Sequence, residues 1–211
     1  MPHYSILIGC DSNYYNNWGV MLLKSIKYHN PWINLRCHIV NPNNINKLDF
    51  VTYTEEKISF TNDTTKIAYL QAARFIAASK IPLNENLITL DADTICTRSF
   101  SQKEFKTLFT KQYIMQHPKE SRWLAGLVTF GNNNFRYRYA ELLNSKPINE
   151  WDWGRDQQVM PQLDKEFNFI PVSSSWISIG KNKNNSVFLT LKGEQKETDK
   201  YLTWYKKYLN F

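Results

Sequence analysis

Short apolar runs alternate with segments of helical periodicity along most of the chain, and Asn- and Pro-containing turns separate them. The predicted strands are Tyr4–Cys10, Leu35–Val40, Phe50–Phe60 (a strand with a loop), Leu87–Leu90, Tyr113–Met115, Leu127–Phe130 and Phe169–Val172. The predicted helices are Trp18–His29, Thr65–Ser79, Phe135–Leu143, Arg155–Leu163 and the tail from Lys200 to Phe211. This order predicts an α/β fold with a mostly parallel central sheet flanked by helices, in a single domain over residues 1–211.

Acidic residues directly follow two of the predicted strands. Asp11 comes after the first strand, and Asp91-Ala92-Asp93 comes after Leu87–Leu90. Ligands of such sheets bind at the carboxyl ends of the strands. We therefore expect Asp11 and the Asp91-Ala92-Asp93 turn to share a site at that edge.

Asp91 and Asp93 are the candidate metal ligands. Two carboxylates one residue apart can face a common point, where they repel each other unless a positive charge lies between them. Mn²⁺ or Mg²⁺ supplies that charge, takes oxygen ligands and leaves positions that a diphosphate can fill. A turn of solvated acids is the alternative interpretation.

A similar Asp-x-Asp motif opens the haloacid-dehalogenase-type phosphohydrolases, in which the first Asp is a nucleophile and the second a general acid/base. In that family the motif normally begins the domain. Here a full strand–helix–strand–helix series is predicted before the strand that leads into Asp91, and no later acidic pair for Mg²⁺ is evident. A phosphohydrolase that uses Asp91 and Asp93 is kept as an alternative.

The composition narrows the function classes. A chain of 211 residues with 42% hydrophobic residues can bury a core. The 7 Trp and 12 Tyr offer flat rings of the kind that sugar-handling proteins use, although many such rings only pack in the fold. A net charge of +7 suits an anionic ligand, but the basic residues are spread along the chain, which disfavours nucleic acid. No Gly-rich phosphate loop is present.

The distribution of the cysteines and the sequence of the N-terminus predict a cytoplasmic protein. The 3 Cys are widely spaced and lie in or beside apolar runs, which indicates a reducing compartment and no disulfide framework. The 4 His show no zinc-site spacing, and neither a signal peptide nor an apolar run of the roughly 20 residues of a membrane span is found. The basic, aromatic tail is a candidate contact to the inner membrane face, or a helix that docks on its own domain. Its aromatic face comprises Tyr201, Trp204, Tyr205 and Tyr208.

Six segments between about residues 6 and 196 follow one another in a specific order. They are LIGCDSNYYNNWGVMLLKSI, AYLQAARFIAASKIP, LITLDADTICTRSF, WLAGLVTFGNNNF, WGRDQQVM and VFLTLKGEQK. In order and spacing they resemble the GT-A glycosyltransferases, nearest to the glycogenin and bacterial lipopolysaccharide galactosyltransferase type called family eight. Each segment alone is a weak match to the family, and the resemblance depends on the order and spacing of all six.

The resemblance implies a metal-dependent enzyme that moves a hexose from a nucleotide sugar, with UDP as the expected nucleotide, to a glycan or lipid-linked acceptor with retention of configuration. It places Mn²⁺ or Mg²⁺ on Asp91 and Asp93 and assigns Asp156 and Gln157 to the anomeric centre. The other implied donor-binding residues are Asp11 at the base or ribose, Arg74, Lys192, Gly193 and Lys196 at the diphosphate, and Ala125 and Gly126 at the sugar.

The chain departs from the family in two places. Leu124 stands where the family prefers Asn, and Leu189, Thr190 and Leu191 occupy the region where a His usually completes the metal site. The missing His keeps open a catalytically weak nucleotide- or carbohydrate-binding module.

Several assigned residues have a plainer structural interpretation. Trp151 and Trp153 are acceptor-platform candidates, as is Trp123, but each can equally pack in the core. Asp156 can be an acid favoured by a helix N-terminus. The two late lysines, Lys192 and Lys196, can be ordinary surface residues.

Overall fold

The computed structural model describes residues 3–131, 133–180, 185–190, 203 and 206–208. The described chain contains a seven-stranded and a three-stranded sheet. In chain order the strands are β1 (His3–Asp11), β2 (Asn34–Val40), β3 (Val51–Glu56), β4 (Glu85–Leu90), β5 (Thr94–Cys96), β6 (Tyr113–Gln116), β7 (Trp123–Phe130), β8 (Ile170–Pro171), β9 (Ile177–Ile179) and β10 (Phe188–Thr190).

The large sheet is mostly parallel, as predicted. Its strand order is β3-β2-β1-β4-β7-β6-β8. β1 runs parallel to β2 and β4, β2 to β3, and β6 to β8, whereas β7 is antiparallel to both of its neighbours. β1 and β4 therefore end at the same edge, which brings Asp11 and the Asp91 turn together.

Helices cover both faces of the large sheet. The helical elements are α1 (Ser12–Tyr14), a π-helical turn (Tyr15–Gly19), α2 (Val20–His29), α3 (Asp63–Ala78), α4 (Gln102–Thr107), α5 (Asn133–Leu143), a 3₁₀ turn (Ile148–Glu150), α6 (Arg155–Gln158) and α7 (Met160–Phe167).

The large sheet separates the two largest clusters of the hydrophobic core. Side chains alternate along a strand, so neighbouring residues of β1 face opposite sides. Ile6 and Ile8 pack in the cluster that contains α2 residues such as Leu22, whereas Leu7 packs with Phe75 of α3. Because both faces of β1 are covered, its apolar run is continuous rather than alternating.

Helix α3 lies unusually close to β1. Its N-cap is Asn62, whose side-chain oxygen accepts a hydrogen bond from the backbone N–H of Thr65 at 2.8 Å. A Cβ atom added to Gly9 of β1 would lie 2.8 Å from the backbone nitrogen of Arg74. The absence of a side chain at Gly9 therefore allows the contact that fixes Arg74 against the carboxyl edge of the sheet.

Two of the differences from the sequence prediction have a clear physical reason. The small sheet, with order β5-β10-β9, was not predicted because its three-residue strands are too short to show periodicity. The helix predicted over Arg155–Leu163 is two helices, and α7 has a Pro in its first turn. Pro161 donates no backbone hydrogen bond, which suits a helix start and not a helix interior.

The described part of the tail packs on the domain. Tyr208 is only 3% exposed, and its hydroxyl forms a hydrogen bond with His29 Nε2 at 2.7 Å. The burial of Tyr208 against α2 favours the second interpretation of the tail, in which it docks on its own domain. The other aromatic residues of that predicted face lie outside the described residues. Among the helices that the structure describes, none combines the length and the apolar character that crossing a membrane requires.

Candidate functional site

The site lies where β1 and β4 end, at the predicted edge. After β4 the chain makes a tight turn, in which the N–H of Thr94 donates to the carbonyl of Asp91 at 3.1 Å. The N–H of Asp91 donates to the carbonyl of Gly126 in β7 at 3.2 Å. The turn and the neighbouring strand thus hold the Asp91 carboxylate at the sheet edge.

Arg74 is the centre of the site. Its side chain is buried, and Nη2 donates to Asp91 Oδ1 at 2.7 Å and to the carbonyl of Ala125 at 3.0 Å. The same Nη2 lies 3.8 Å from Asp156 Oδ2. Nη1 donates to the carbonyl of Gln71, one turn earlier in α3, at 2.9 Å. The Arg74 guanidinium therefore lies near Asp91, Ala125 and Asp156, which belong to three of the segments that the sequence singled out.

Asp156 is a buried acid at the first turn of α6. Asp156 is 3% exposed, and its pKa is raised to about 6, because burial and the nearby Asp91 carboxylate raise it by more than the Arg74 charge lowers it. Gly154 precedes the helix with a φ of 77°, a left-handed conformation that glycine adopts without strain. The N–H of Gly154 donates to Gln71 Oε1 at 3.0 Å, which ties this turn to α3.

Asp93 is positioned by Tyr14. The Tyr14 hydroxyl donates to Asp93 Oδ2 at 2.6 Å. Asp11 in turn caps α1, because its Oδ1 accepts a hydrogen bond from the backbone N–H of Tyr14 at 2.8 Å. Asp11 therefore holds Tyr14, and Tyr14 holds Asp93, so the two predicted acidic positions are linked through a residue that the sequence did not single out.

Two cavities meet at this cluster. The smaller, of about 330 Å³, lies between α1 and α3 and is lined by Asp11, Tyr14, Ile67 and Leu70. The larger, of about 540 Å³, contains Ala125, Gly126, Trp153, Asp156 and Gln157. Both cavities are also lined by Gln71, Arg74, Asp91 and Asp93. The carboxylates and the arginine thus stand between two connected spaces.

The two aspartates fit a hard divalent cation. Both residues line the shared part of the cavities, and carboxylate oxygens are ligands that such a cation takes. A Cβ atom at Gly126 would lie 3.3 Å from Asp91 Oδ2, so a glycine there leaves space beside that oxygen. No group of three or more Asp, Glu, His or Cys side chains with metal-binding geometry occurs among the described residues. A cation at this position would need oxygens from a bound ligand to complete its coordination.

The structure brings most of the predicted site residues together, but it places Trp151 in the core, away from the site. Trp151 is 1% exposed, its ring stacks on Tyr69 at 5.7 Å, and its indole N–H donates to the carbonyl of Lys146 at 3.0 Å. The acceptor-platform interpretation of Trp151 is therefore wrong, because both its ring and its polar atom are used inside the core. Trp153, by contrast, is 64% exposed.

Three predicted donor-binding residues fall outside the described part of the chain. They are Lys192, Gly193 and Lys196. The nearest described residue, Thr190 of β10, lines the larger cavity.

Sequence reasoning missed several residues that line the cavities. Among the polar ones are Tyr14, Gln71, Arg122 and Thr190. Only Gln71 carried a usable signal, because residues three apart on a helix share a face and Gln71 precedes Arg74 by three. The other residues reach the site through tertiary packing.

Comparison with known proteins identifies the fold. No family model matches the chain, and neither does any curated protein. Among solved structures, it is similar to the glycosyltransferase GlyE of Streptococcus pneumoniae TIGR4, with a TM-score of 0.65, 14% identity, and coverage of 98% of this chain and 61% of that one. The apo form of GlyE gives a TM-score of 0.66 at 13% identity, covering 99% and 61% of the two chains.

A third similar structure is the galactosyltransferase LgtC in complex with donor and acceptor sugar analogs. Here the TM-score is 0.61 at 12% identity, with 98% of this chain and 94% of that chain covered. The chain thus spans 61% of the GlyE chain but most of LgtC. These similarities confirm the glycosyltransferase-like α/β fold that the sequence predicted.

Proposed function

We propose that the protein is a metal-dependent glycosyltransferase that transfers a hexose from a UDP-sugar to a glycan with retention of configuration. The observation that carries this proposal is the position of Asp91, Asp93 and Arg74 between two connected cavities. A nucleotide sugar has the matching order of parts, namely a nucleoside, a diphosphate and a sugar. The names of GlyE and LgtC, a glycosyltransferase and a galactosyltransferase, support the same function class.

Each part of the donor has a matching region. The nucleoside is assigned to the smaller cavity, where the Tyr14 ring and the apolar side chains of Ile67 and Leu70 line a space beside Asp11. The diphosphate is assigned to the shared region with Arg74, Asp91 and Asp93. The late segment with Lys192, Gly193 and Lys196 is proposed to approach the same phosphates. The hexose is assigned to the larger cavity, beside Ala125, Gly126 and Gln157.

Neutralisation of the leaving group is the chemical task at the diphosphate. In transfer, the bond from the anomeric carbon to the UDP oxygen breaks and its electron pair leaves on UDP. A new bond forms to the acceptor oxygen, and the proton of the acceptor hydroxyl is released. Mn²⁺ or Mg²⁺ bound at Asp91 and Asp93 would supply positive charge to the diphosphate. Arg74 supplies a second positive charge from a fixed, buried position, which requires little reorganisation during the reaction.

Asp156 and Gln157 are proposed to act at the anomeric centre. With a pKa near 6, Asp156 is largely ionised at neutral pH. A buried carboxylate stabilises positive charge on the sugar more strongly than a solvated one, because the local dielectric is low. Within the described chain the Gln157 side-chain amide makes no hydrogen bond, so its polar atoms remain for a sugar hydroxyl.

Turnover of UDP-sugars tests this function. The protein is incubated with UDP-glucose, UDP-galactose or UDP-N-acetylglucosamine and Mn²⁺, and products are followed by NMR. Without an acceptor, we expect slow, EDTA-sensitive release of UDP from one donor, with the free sugar formed first as the α-anomer. Initial formation of the β-anomer would contradict retention. Stable donors, in samples where the protein binds UDP, would instead favour a binding module without transferase activity.

A further inference from the structure

A second groove adjoins the larger cavity. It has a volume of about 610 Å³ and lies between the start of β7 and helices α6 and α7. We call this space the α6–α7 groove. Its walls include Trp123, Trp153, Gln158, Pro161 and Lys165.

The α6–α7 groove and the larger cavity are continuous. Arg122, Trp153 and Gln157 line both spaces. A molecule held in the groove therefore reaches Gln157, next to buried Asp156, and the groove shares no lining residue with the cavity assigned to the nucleoside. This is the position that the second substrate of a transfer reaction must occupy, because it has to meet the sugar while the diphosphate is still bound.

The groove has two aromatic walls of different character. Trp153 is 64% exposed, the highest exposure among the large hydrophobic side chains that the structure describes. Trp123 is held in place, since its indole N–H donates to Asp164 Oδ2 at 2.8 Å and its ring packs edge-on against Phe169 at 5.5 Å. One ring is thus fixed by the protein, and the other is exposed at the mouth of the groove.

Most charges in the groove are already compensated by the protein. Asp164 accepts a second hydrogen bond from the backbone N–H of Phe169 at 2.8 Å, and Arg122 pairs with Glu120. The remaining lining cation, Lys165, is exposed to solvent. What the groove offers to a ligand is therefore aromatic surface, the Gln157 amide and the part of the Gln158 amide that its hydrogen bond to the Trp153 carbonyl, at 3.4 Å, does not use. This combination suits a neutral molecule with both apolar faces and hydroxyl groups.

We propose that the α6–α7 groove binds a neutral oligosaccharide acceptor of two or more sugars, with its reactive sugar at Gln157 and a following sugar against Trp153. This inference rests on the proposed transferase function and specifies its acceptor. The length follows from the volume, because the groove's 610 Å³ is additional to the cavity assigned to the donor hexose and is within the roughly 300–1,000 Å³ of sites for multi-ring ligands.

A glycan array carrying mono-, di- and longer neutral saccharides tests the inference, with the full chain applied both with and without UDP and Mn²⁺. The key variant is Gln158→Trp, which places a bulky ring in the groove from an exposed position outside the donor cavities. Its matched control is Gln162→Trp, an exposed position on α7 that does not line the groove. UDP binding is measured separately for all proteins.

We expect binding to a neutral glycan at least tenfold tighter for its di- or trisaccharide than for its monosaccharide, at least tenfold weaker in Gln158→Trp and in Trp153→Ala, and unchanged in Gln162→Trp. Absence of glycan binding, equal binding of mono- and oligosaccharides, or equal effects of the two Trp substitutions would overturn the groove assignment. Because UDP binding is scored independently, glycan binding by a protein that fails to bind UDP would overturn the donor site and leave the groove as a saccharide site.

Discussion

Two buried clusters of arginine and carboxylate lie at opposite ends of β4. At the amino end, Glu85 accepts two hydrogen bonds from Arg36, at 2.6 and 2.7 Å, and Arg136 donates to the Glu85 carbonyl at 2.8 Å. At the carboxyl end, Arg74 contacts Asp91 at 2.7 Å but lies 3.8 Å from Asp156. The Glu85 carboxylate thus has an arginine within hydrogen-bond distance of both oxygens, whereas the Asp156 carboxylate has no arginine within that distance.

The pKa values of Glu85 and Asp156 are shifted in opposite directions as a result. Burial acts to raise the pKa of Glu85, but the two hydrogen bonds from Arg36 and the positive charges of Arg36 and Arg136 outweigh it, so that the pKa is lowered. Burial dominates at Asp156, and its pKa is raised to about 6. The amino-end cluster is therefore a closed structural ion pair, whereas the carboxyl-end cluster keeps an under-compensated acid facing a cavity. Such an arrangement costs stability and is typical of a functional site.

The largest expected effect is on catalysis at the open cluster. Asp156→Asn should lower kcat for sugar transfer by about 10²–10³-fold, because the amide cannot stabilise positive charge on the sugar. UDP affinity should change by less than about threefold, since Asp156 lines the larger cavity alone. Steady-state kinetics and UDP titration check the two parts. An unchanged kcat would remove Asp156 from the reaction.

At the closed cluster the expected effect is on folding. Glu85→Ala should lower the free energy of unfolding by about 3 kcal/mol, because it leaves Arg36 without its carboxylate partner and removes the negative charge beside buried Arg136. Urea unfolding followed by circular dichroism gives the value. The exposed Glu150→Ala serves as control and should leave the midpoint unchanged. Equal effects of the two substitutions would show that the Glu85 cluster is not structural.

The raised pKa of Asp156 also predicts a pH-dependent stability difference. The folded-state value near 6 exceeds the ordinary value of 3.8, so between these values the folded protein binds more protons than the unfolded chain. Stability from this group is hence present at low pH and lost as pH rises towards 6. Asp156→Asn should be about 1–3 kcal/mol more stable than the native protein at pH 8, and the difference should vanish near pH 4.

Urea titrations of both proteins from pH 4 to pH 8 provide this comparison. Other ionisable groups contribute equally to both proteins, so only the difference between them is interpreted. A difference that does not change with pH would show that Asp156 titrates at its ordinary value.

The smallest expected effect concerns the link between the two acidic turns. Tyr14→Phe removes the hydrogen bond to Asp93 and should weaken Mn²⁺-dependent UDP binding about three- to tenfold, the equivalent of one hydrogen bond to a charged group or less. Tyr137→Phe, at an exposed position on α5, is the matched control. If both variants bind UDP like the native protein, the Tyr14 hydroxyl does not position Asp93.

Much of the fold could be predicted from the sequence because its central elements have strong local signals. The buried run of β1 and the apolar residues before Asp91 identified the strands, and parallel order placed both acids at one edge. The small sheet lacked such a signal, because β5, β9 and β10 are short and pair only through tertiary structure.

The site was predicted less completely, for a physical reason. The sequence identified Arg74, Asp91 and Asp156 as separate residues, but their common guanidinium contact depends on Gly9 allowing α3 to approach β1. The roles of Tyr14 and Trp151 depend on side-chain burial, which neighbouring residues in the sequence do not determine. Trp151 and Trp153 are two residues apart and yet have opposite exposures.

Calorimetric titration with UDP, in the presence and absence of Mn²⁺, tests the central claim that the carboxyl-end cluster is a nucleotide-sugar site. The native protein and the exposed-site control Asp49→Ala should bind UDP more tightly with Mn²⁺, and Asp93→Ala should lose that dependence. Equal binding with and without Mn²⁺ would contradict the metal assignment and leave Arg74 as the principal charge at the diphosphate. Failure of the native protein to bind UDP under either condition would contradict the account of this cluster.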